Sequence, residues 1–175
     1  MVTRYPAGMS NVRTSRLVLH AIDVAEGERI VAAKPGPADS WAHDFPFDGD
    51  VTAAKLFLRA SCELGEQRPF GFYLISHLSD GRAIGGIGFK GQPVGGTVEI
   101  GYGLVPSARG HGFAAEAVAG LLTVAIDQGL AKVKAETTLD NMASQRTLIR
   151  AGFGLVGTDD DVHRYEILVE RATSA

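Results

Sequence analysis

The segment Arg109-Gly110-His111-Gly112-Phe113-Ala114 joins a permanent cation, two glycines and the mouth of a helix. That combination binds phosphate. Pro106 follows the alternating stretch 98–105, and from Ala114 onward the apolar residues fall at helical spacing. A glycine-rich turn at a helix start exposes N–H groups with no intrahelical partner, and the helix dipole adds partial positive charge there. Gly110 and Gly112 remove the side chains that would hold a phosphate off the backbone. Arg109 adds a fork of donors. The expected cargo is a diphosphate.

Three patterns overlap here. A P-loop is excluded, because no Gly-Lys-Ser/Thr follows. Gly110, Gly112 and Ala115 satisfy the loose dinucleotide pattern G-x-G-x-x-A, which expects an acidic residue about 20 positions further on. That position falls in the turn around Gly129 and Leu130, and Glu136 comes too late. The third pattern is R-x-x-G-x-A. It resembles the (Arg/Gln)-x-x-Gly-x-(Gly/Ala) loop of the GNAT acyltransferases, which holds the pyrophosphate of acetyl-coenzyme A at the start of a long central helix.

The elements that must position this loop can be read from periodicity. Residues 1–13 are expected to form a flexible arm ahead of a single domain over 14–175. A first strand is predicted over 16–22, where Leu17, Leu19 and Ala21 share a face. Asp23 with Glu26 makes an acidic capping box for a short helix ending before Pro35. A ring-rich loop over 35–50 carries Trp41, His43, Phe45 and Phe47. A second helix is predicted over 51–64, stopped by Gly65. Three strands follow over 70–77, 83–89 and 98–105, the first two joined at Asp80-Gly81. The central helix, with its stripe of Ala117, Val118, Leu121, Leu122 and Ala125, ends at Gly129. The alternating stretch 131–137 should pair parallel to 98–105 across a right-handed crossover. A helix over 142–151, capped by Asn141, and strands over 155–157 and 163–169 close the chain. The fold class is α+β: a mixed, mainly antiparallel sheet flanked by helices, with one parallel β-α-β crossover.

That order is similar to the GNAT order. A second motif, Asn141-x-x-Ser144 with Arg146, Leu148 and Arg150 ahead of Gly152-Phe153, resembles the N-x-x-S-x-R-x-L-x-K-x-G-F segment of the RimJ/RimL-like branch. Thr14 to Leu19 and Glu99-Ile100-Gly101-Tyr102 look like that branch too. The resemblance implies an N-acetyltransferase that moves an acetyl group from acetyl-CoA to a primary amine by direct attack in a ternary complex. The amine is a protein N-terminus or a small molecule. It also implies that the strand 98–105 splays from 131–137, so that backbone groups near Leu104 and Val105 bind the pantetheine arm. Cofactor contacts then fall on Leu104, Val105, Arg109, Gly110, His111, Gly112, Phe113, Ala114, Asn141, Ser144 and Arg150. His111 is expected to offer its backbone and no catalysis.

Acyl transfer to an amine needs a proton acceptor, a partner for the oxyanion and a proton for the departing thiolate. Glu99, opposite in direction to Val98 and Ile100, is the candidate base or else a solvent-facing glutamate. Ser144 is the candidate proton donor or a first-turn helix residue bonding local backbone, and capping alone would explain Asn141. The tyrosine that the family often uses as acid aligns with Ile149, leaving Tyr102 and Tyr165 as substitutes or core. Gly101 and Gly103 mark a bulge, or relieve crowding above the central helix. Trp41, His43, Asp44 and Phe45 are candidate acceptor contacts, with Asp44 for a cationic amine, although a ring-rich loop also serves as a buried clasp.

Composition bounds these readings. The chain has 175 residues, enough for one domain, with 45% hydrophobic and 21% charged. A formal net charge of −3 argues against nucleic acid as a partner. The single cysteine, Cys62, excludes internal disulfides and multi-cysteine metal sites, and the five histidines lack ligand spacing, so no metal is expected. No leader-like segment or membrane span of ~20 apolar residues is present, and a cytoplasmic setting is expected. A homodimer is compatible with the sequence. A non-catalytic acyl-CoA-binding sensor would need the loop but neither Glu99 nor Ser144. A nucleotide-binding oxidoreductase would instead bind a nicotinamide dinucleotide.

Overall fold

The computed structural model describes residues 11–169. In chain order it contains β1 (Asn11–Arg13), β2 (Leu17–Ala21), α1 (Val24–Ala32), α2 (Asp48–Leu64), β3 (Phe72–His77), β4 (Ala83–Phe89), β5 (Thr97–Leu104), a 3-10 turn (Pro106–Ala108), α3 (Phe113–Asp127), β6 (Lys132–Thr138), α4 (Met142–Arg150), β7 (Gly154–Thr158) and β8 (Val162–Leu168). The strands form one sheet in the order β1-β2-β3-β4-β5-β6-β8-β7. Only β5 and β6 run parallel, and α3 makes the crossover that a parallel pair requires.

Residues 11–13, expected to belong to the arm over 1–13, form a strand instead. Asn11–Arg13 pairs antiparallel with β2, and Thr14 N donates to Leu17 O at 2.9 Å across the connecting turn. His20 Nδ1 lies 2.8 Å from Asn11 Oδ1, adding a side-chain tie to a strand too short to show periodicity. Residues 1–10 lie outside the described residues. Helix α2 also begins three residues early. Phe47 at its N-cap has no capping side chain, but its N–H donates to Asp50 Oδ2 at 3.2 Å.

The helices divide between the two faces. Leu19 pairs with Ile75, which pairs with Gly85, and Leu19 packs against Gly120 of α3. The next residue, Gly86, faces Asp50 of α2, so the pleat puts α2 and α3 on opposite sides. The core between sheet and α3 holds Leu17, Leu19, Ile75, Ile87, Ile100, Val118 and Leu121, all essentially without solvent contact. Apolar burial of this kind is the main favourable term for the fold.

Two features of β5 shape the site. It pairs with β4 up to Leu104 but with β6 only over Thr97–Ile100, while β6 runs on beside β8 to Thr138. The two parallel strands therefore diverge after Ile100. The bulge expected at Gly101 and Gly103 is absent, since the β4–β5 register runs without a shift. Nor do these glycines relieve crowding above α3. Gly88 stands opposite Gly101 and Gly86 opposite Gly103, paving the α2 side of the sheet with backbone. A Cβ at Gly103 would collide with the Phe47 ring.

Candidate active site

The glycine loop 109–114 adopts the conformation its glycines permit. Gly110 and Gly112 have φ of 84° and 78°, a left-handed region that other residues rarely enter. Gly112 is the N-cap of α3 and supplies no side-chain acceptor, so the first amides of the helix stay open at its mouth. Arg109 Nε donates to Leu104 O at 3.0 Å, with its guanidinium 5.9 Å from the Phe47 ring centroid. His111 contributes backbone: its carbonyl accepts from Arg16 Nη1 at 3.0 Å.

Arg16 was not among the predicted site residues, yet it braces the loop. Its Nε donates to Glu116 Oε2 at 2.7 Å, and its guanidinium sits 4.6 Å from the Phe113 ring centroid. Thr14 Oγ1 and Arg16 N both donate to Glu116 Oε1, at 2.6 and 2.7 Å. Burial pushes the Glu116 carboxyl upward, but these hydrogen bonds outweigh it and hold the group below its usual range. The β1–β2 turn is thus latched to the first turn of α3 over a separation of 100 residues. Periodicity and local spacing carry no signal for such a contact.

Beside the loop lies the gap between β5 and β6. Lys90 N donates to Glu99 O, and Val105 N donates to Ile84 O, so the odd-numbered residues of β5 turn their backbone groups toward β4. Alternation points those of Tyr102 and Leu104 toward β6, which has already peeled away. The Leu104 N–H therefore faces the gap, its carbonyl being held by Arg109, whereas the Val105 N–H is committed to the opposite side. Across the gap, the Tyr102 hydroxyl lies 2.8 Å from Ser144 Oγ and donates to Ser144 O at 3.1 Å. Burial pushes the Tyr102 phenol up to about 12. Asn141 Oδ1 accepts from Ser144 N at 3.0 Å, a capping bond that fixes the start of α4. Arg150 stands exposed at the far end of α4, about 9 Å along the axis from Ser144, and Ile149 is also exposed.

On the other side of the sheet, α2 roofs a cavity of about 690 Å³. Its floor is Gly86, Gly88, Gly101 and Gly103, and its walls include Phe47, Leu56, Phe57, Phe70, Phe72 and Phe89. Asp50 stands in this apolar setting with 2% of its surface exposed. Burial raises its carboxyl to about 7, and the Phe47 N–H that Oδ2 accepts opposes the rise only in part. Glu99 does not line the cavity. Its Oε1 lies 2.5 Å from Lys90 Nζ at the rim.

The four expected acceptor contacts sit elsewhere. Asp44 accepts from Ser107 N at 2.9 Å and Ser107 Oγ at 2.7 Å, clasping the loop after β5 outside the large cavity. Those bonds hold its carboxyl below the usual range. Trp41 and Phe45 stack edge to face at 5.0 Å, and Phe45 is buried. His43 lines a separate space of about 380 Å³ with His77, Arg82, Ser107 and His111. The chain reaches the large cavity a few residues later, at 47–50. Among the described residues no group of three or more His, Cys, Asp or Glu could hold a metal ion, and no helix is long and apolar enough to cross a membrane.

A glycine loop at a helix mouth stands beside two diverging parallel strands joined by one crossover. The profile of a family described as "Acetyltransferase (GNAT) domain" matches residues 16–154. The chain belongs to the GNAT acetyltransferase family. It is similar to YjdG of Bacillus subtilis (strain 168), described as an uncharacterized N-acetyltransferase, at 33% identity over 86 residues. That stretch is 48% of this GNAT chain and 51% of YjdG, so the match spans about half the length of each. Among solved structures, an acetyltransferase from Agrobacterium tumefaciens strain C58 superposes with a TM-score of 0.64 at 22% identity, covering 94% of this chain and 98% of that one. RimL, a ribosomal L7/L12 alpha-N-protein acetyltransferase solved with coenzyme A, gives 0.65 at 20% identity, covering 89% and 96%. Both likenesses support the GNAT fold.

Proposed function

We propose that this protein is an N-acetyltransferase that moves the acetyl group of acetyl-CoA to a primary amine by direct attack within a ternary complex. The observation that carries the reading is the continuity of the open α3 amides with the gap at Tyr102 and Leu104. The loop from Arg109 to Ala114 takes the diphosphate through backbone amides and the Arg109 guanidinium. The Tyr102 backbone groups and the Leu104 N–H receive the extended pantetheine as an added strand would be received, and the Leu104 N–H is placed to polarise the thioester carbonyl, while the Leu104 carbonyl holds Arg109.

Ser144 Oγ, hydrogen-bonded to the Tyr102 hydroxyl, supplies the proton that the departing thiolate takes up, and burial favours the neutral phenol beside it. RimL's description supports the co-substrate, since that relative was solved with coenzyme A. Thiol release from acetyl-CoA tests the proposal, with peptides, amino acids, polyamines and monoamines as acceptors. Release dependent on one acceptor class is the expected result. Tight binding of acetyl-CoA without release to any acceptor favours a non-catalytic sensor, and absence of binding overturns the reading.

A further inference from the structure

The cavity under α2 carries more information than its place beside the sheet. Its six aromatic and aliphatic wall residues offer no hydrogen bonds, and its floor is bare glycine backbone. The charged groups in its lining are Asp48, Asp50 and Lys90, and Lys90 is engaged by Glu99. Asp50 Oδ2 accepts the Phe47 N–H, whereas Oδ1 has no hydrogen-bond partner among the described residues. A Cβ at Gly86 would lie 3.0 Å from Oδ1 and would also collide with the Phe72 ring, so the glycine keeps the carboxylate's approach clear. A helix cap needs one carboxylate oxygen, and the second has no structural duty.

We propose that this cavity is the acceptor site and that it selects primary amines carried on an apolar body, with Asp50 receiving the ammonium group. The proposal rests on the acetyl-transfer reading above. A cation is the one charge the lining favours, because no basic group remains to hold an acidic acceptor. An apolar body replaces water against phenylalanine faces, whereas the several polar groups of a polyamine or a sugar amine would lose hydration there and find only Asp48, Thr52 and Gln67 as further polar partners. The volume suits one side chain or ring system with its amine, within the range of ordinary small-molecule sites. Aromatic walls also attract an ammonium directly.

The proton balance is complete with the groups present. One ammonium proton passes to Asp50 Oδ1, leaving a neutral amine and a carboxylic acid. The amine nitrogen forms its bond to the acetyl carbon, the carbon–sulfur bond breaks, and the second nitrogen proton ends on the coenzyme's sulfur through Ser144. Asp50 then returns its proton to solvent. Burial places this carboxyl near neutrality, so it accepts a proton poorly below about pH 7. The other titratable residues lining the cavity are Asp48 on α2, Lys90 just after β4 and Tyr102 on β5, with Glu99 of β5 reaching Lys90 at the rim, while β3 presents Phe72.

The test measures thiol release with phenethylamine, a peptide led by phenylalanine, spermidine and a peptide led by aspartate. Expected is a kcat/KM at least tenfold higher for the two apolar amines, and their ratio separates a monoamine from a peptide source. Asp50→Asn still accepts the Phe47 N–H and should keep its acetyl-CoA affinity, yet lose roughly a hundredfold in kcat/KM and the acid limb near pH 7. Leu56→Lys, at a position 62% exposed, folds regardless and should lower the apolar amines' kcat/KM severalfold. Preference for spermidine or the acidic peptide would overturn the inference, as would full activity in Asp50→Asn. So would an acetyl-CoA-bound protein inert toward all four amines. Loss of acetyl-CoA binding in the unaltered protein would instead remove the acetyl-transfer reading on which it stands.

Discussion

Two carboxylates compete for the part of proton acceptor, and their surroundings set them apart. Glu99 is partly exposed and held by Lys90, whereas Asp50 is buried among phenylalanines with one oxygen unassigned. A group that must take and release a proton near neutrality works best with a carboxyl raised toward that pH. Glu99→Gln should therefore reduce kcat/KM by less than about fivefold, well short of the factor of 10²–10⁴ that a positioned acid or base contributes. Steady-state kinetics on both variants decides between them. Ser144→Ala should lower kcat by roughly tenfold or more with KM for acetyl-CoA little changed, because the proton donor acts in the transition state. An unchanged kcat would reduce Ser144 to a capping partner of Asn141.

Elements are held in place by ties between segments far apart in the chain. Glu116 collects hydrogen bonds from Thr14 and Arg16, and thereby fixes the helix mouth against the β1–β2 turn. Glu116→Ala should cost about 1.5–3 kcal/mol, typical of hydrogen bonds to a charged group, and weaken coenzyme A binding in step. Urea unfolding and calorimetric titration measure the two effects. A local tie, between consecutive elements, joins β2 to α1 through His20 and Glu26, with Nε2 to Oε1 at 2.8 Å. The hydrogen bond to Glu26 raises the His20 imidazole, against the opposing effect of burial. A raised histidine contributes stability below its unfolded pKa of about 6.5, and that contribution fades as pH climbs through the folded value. Thermal melts should thus show a larger stability gap between the protein and His20→Gln at pH 6 than at pH 9.

At the scale of the whole molecule, the sheet opens between β5 and β6 after Ile100. Binding of coenzyme A at 100 times its Kd should stabilise the protein by about 2.7 kcal/mol, or roughly 5–10 °C in Tm. Arg109→Ala should shrink that shift at the same concentration, since it removes a charge-assisted contact to the diphosphate. The glycines of β4 limit tolerance from the other direction. A Cβ at Gly85 would collide with the backbone carbonyl of Gly103, which no rotamer change relieves. Gly85→Ala should therefore cost toward the upper end of ~1–3 kcal/mol, measured by urea unfolding.

The sequence by itself determined the element order, the parallel crossover and the glycine turn at the mouth of α3. Each is written locally: in alternation, in helical spacing, and in two glycines whose positive φ no other residue tolerates well. Ser144 was legible for the same reason, lying three residues after its cap. Tertiary structure alone decided the rest. Asp44 and Asp50 are both acidic residues near rings, and only packing sends one to Ser107 and the other under α2. Val105 and Leu104 are neighbours, yet strand alternation gives one to β4 and the other to the gap. Burial, the second oxygen of a carboxylate and the reach of Arg16 to Glu116 depend on segments brought together only when the sheet closes.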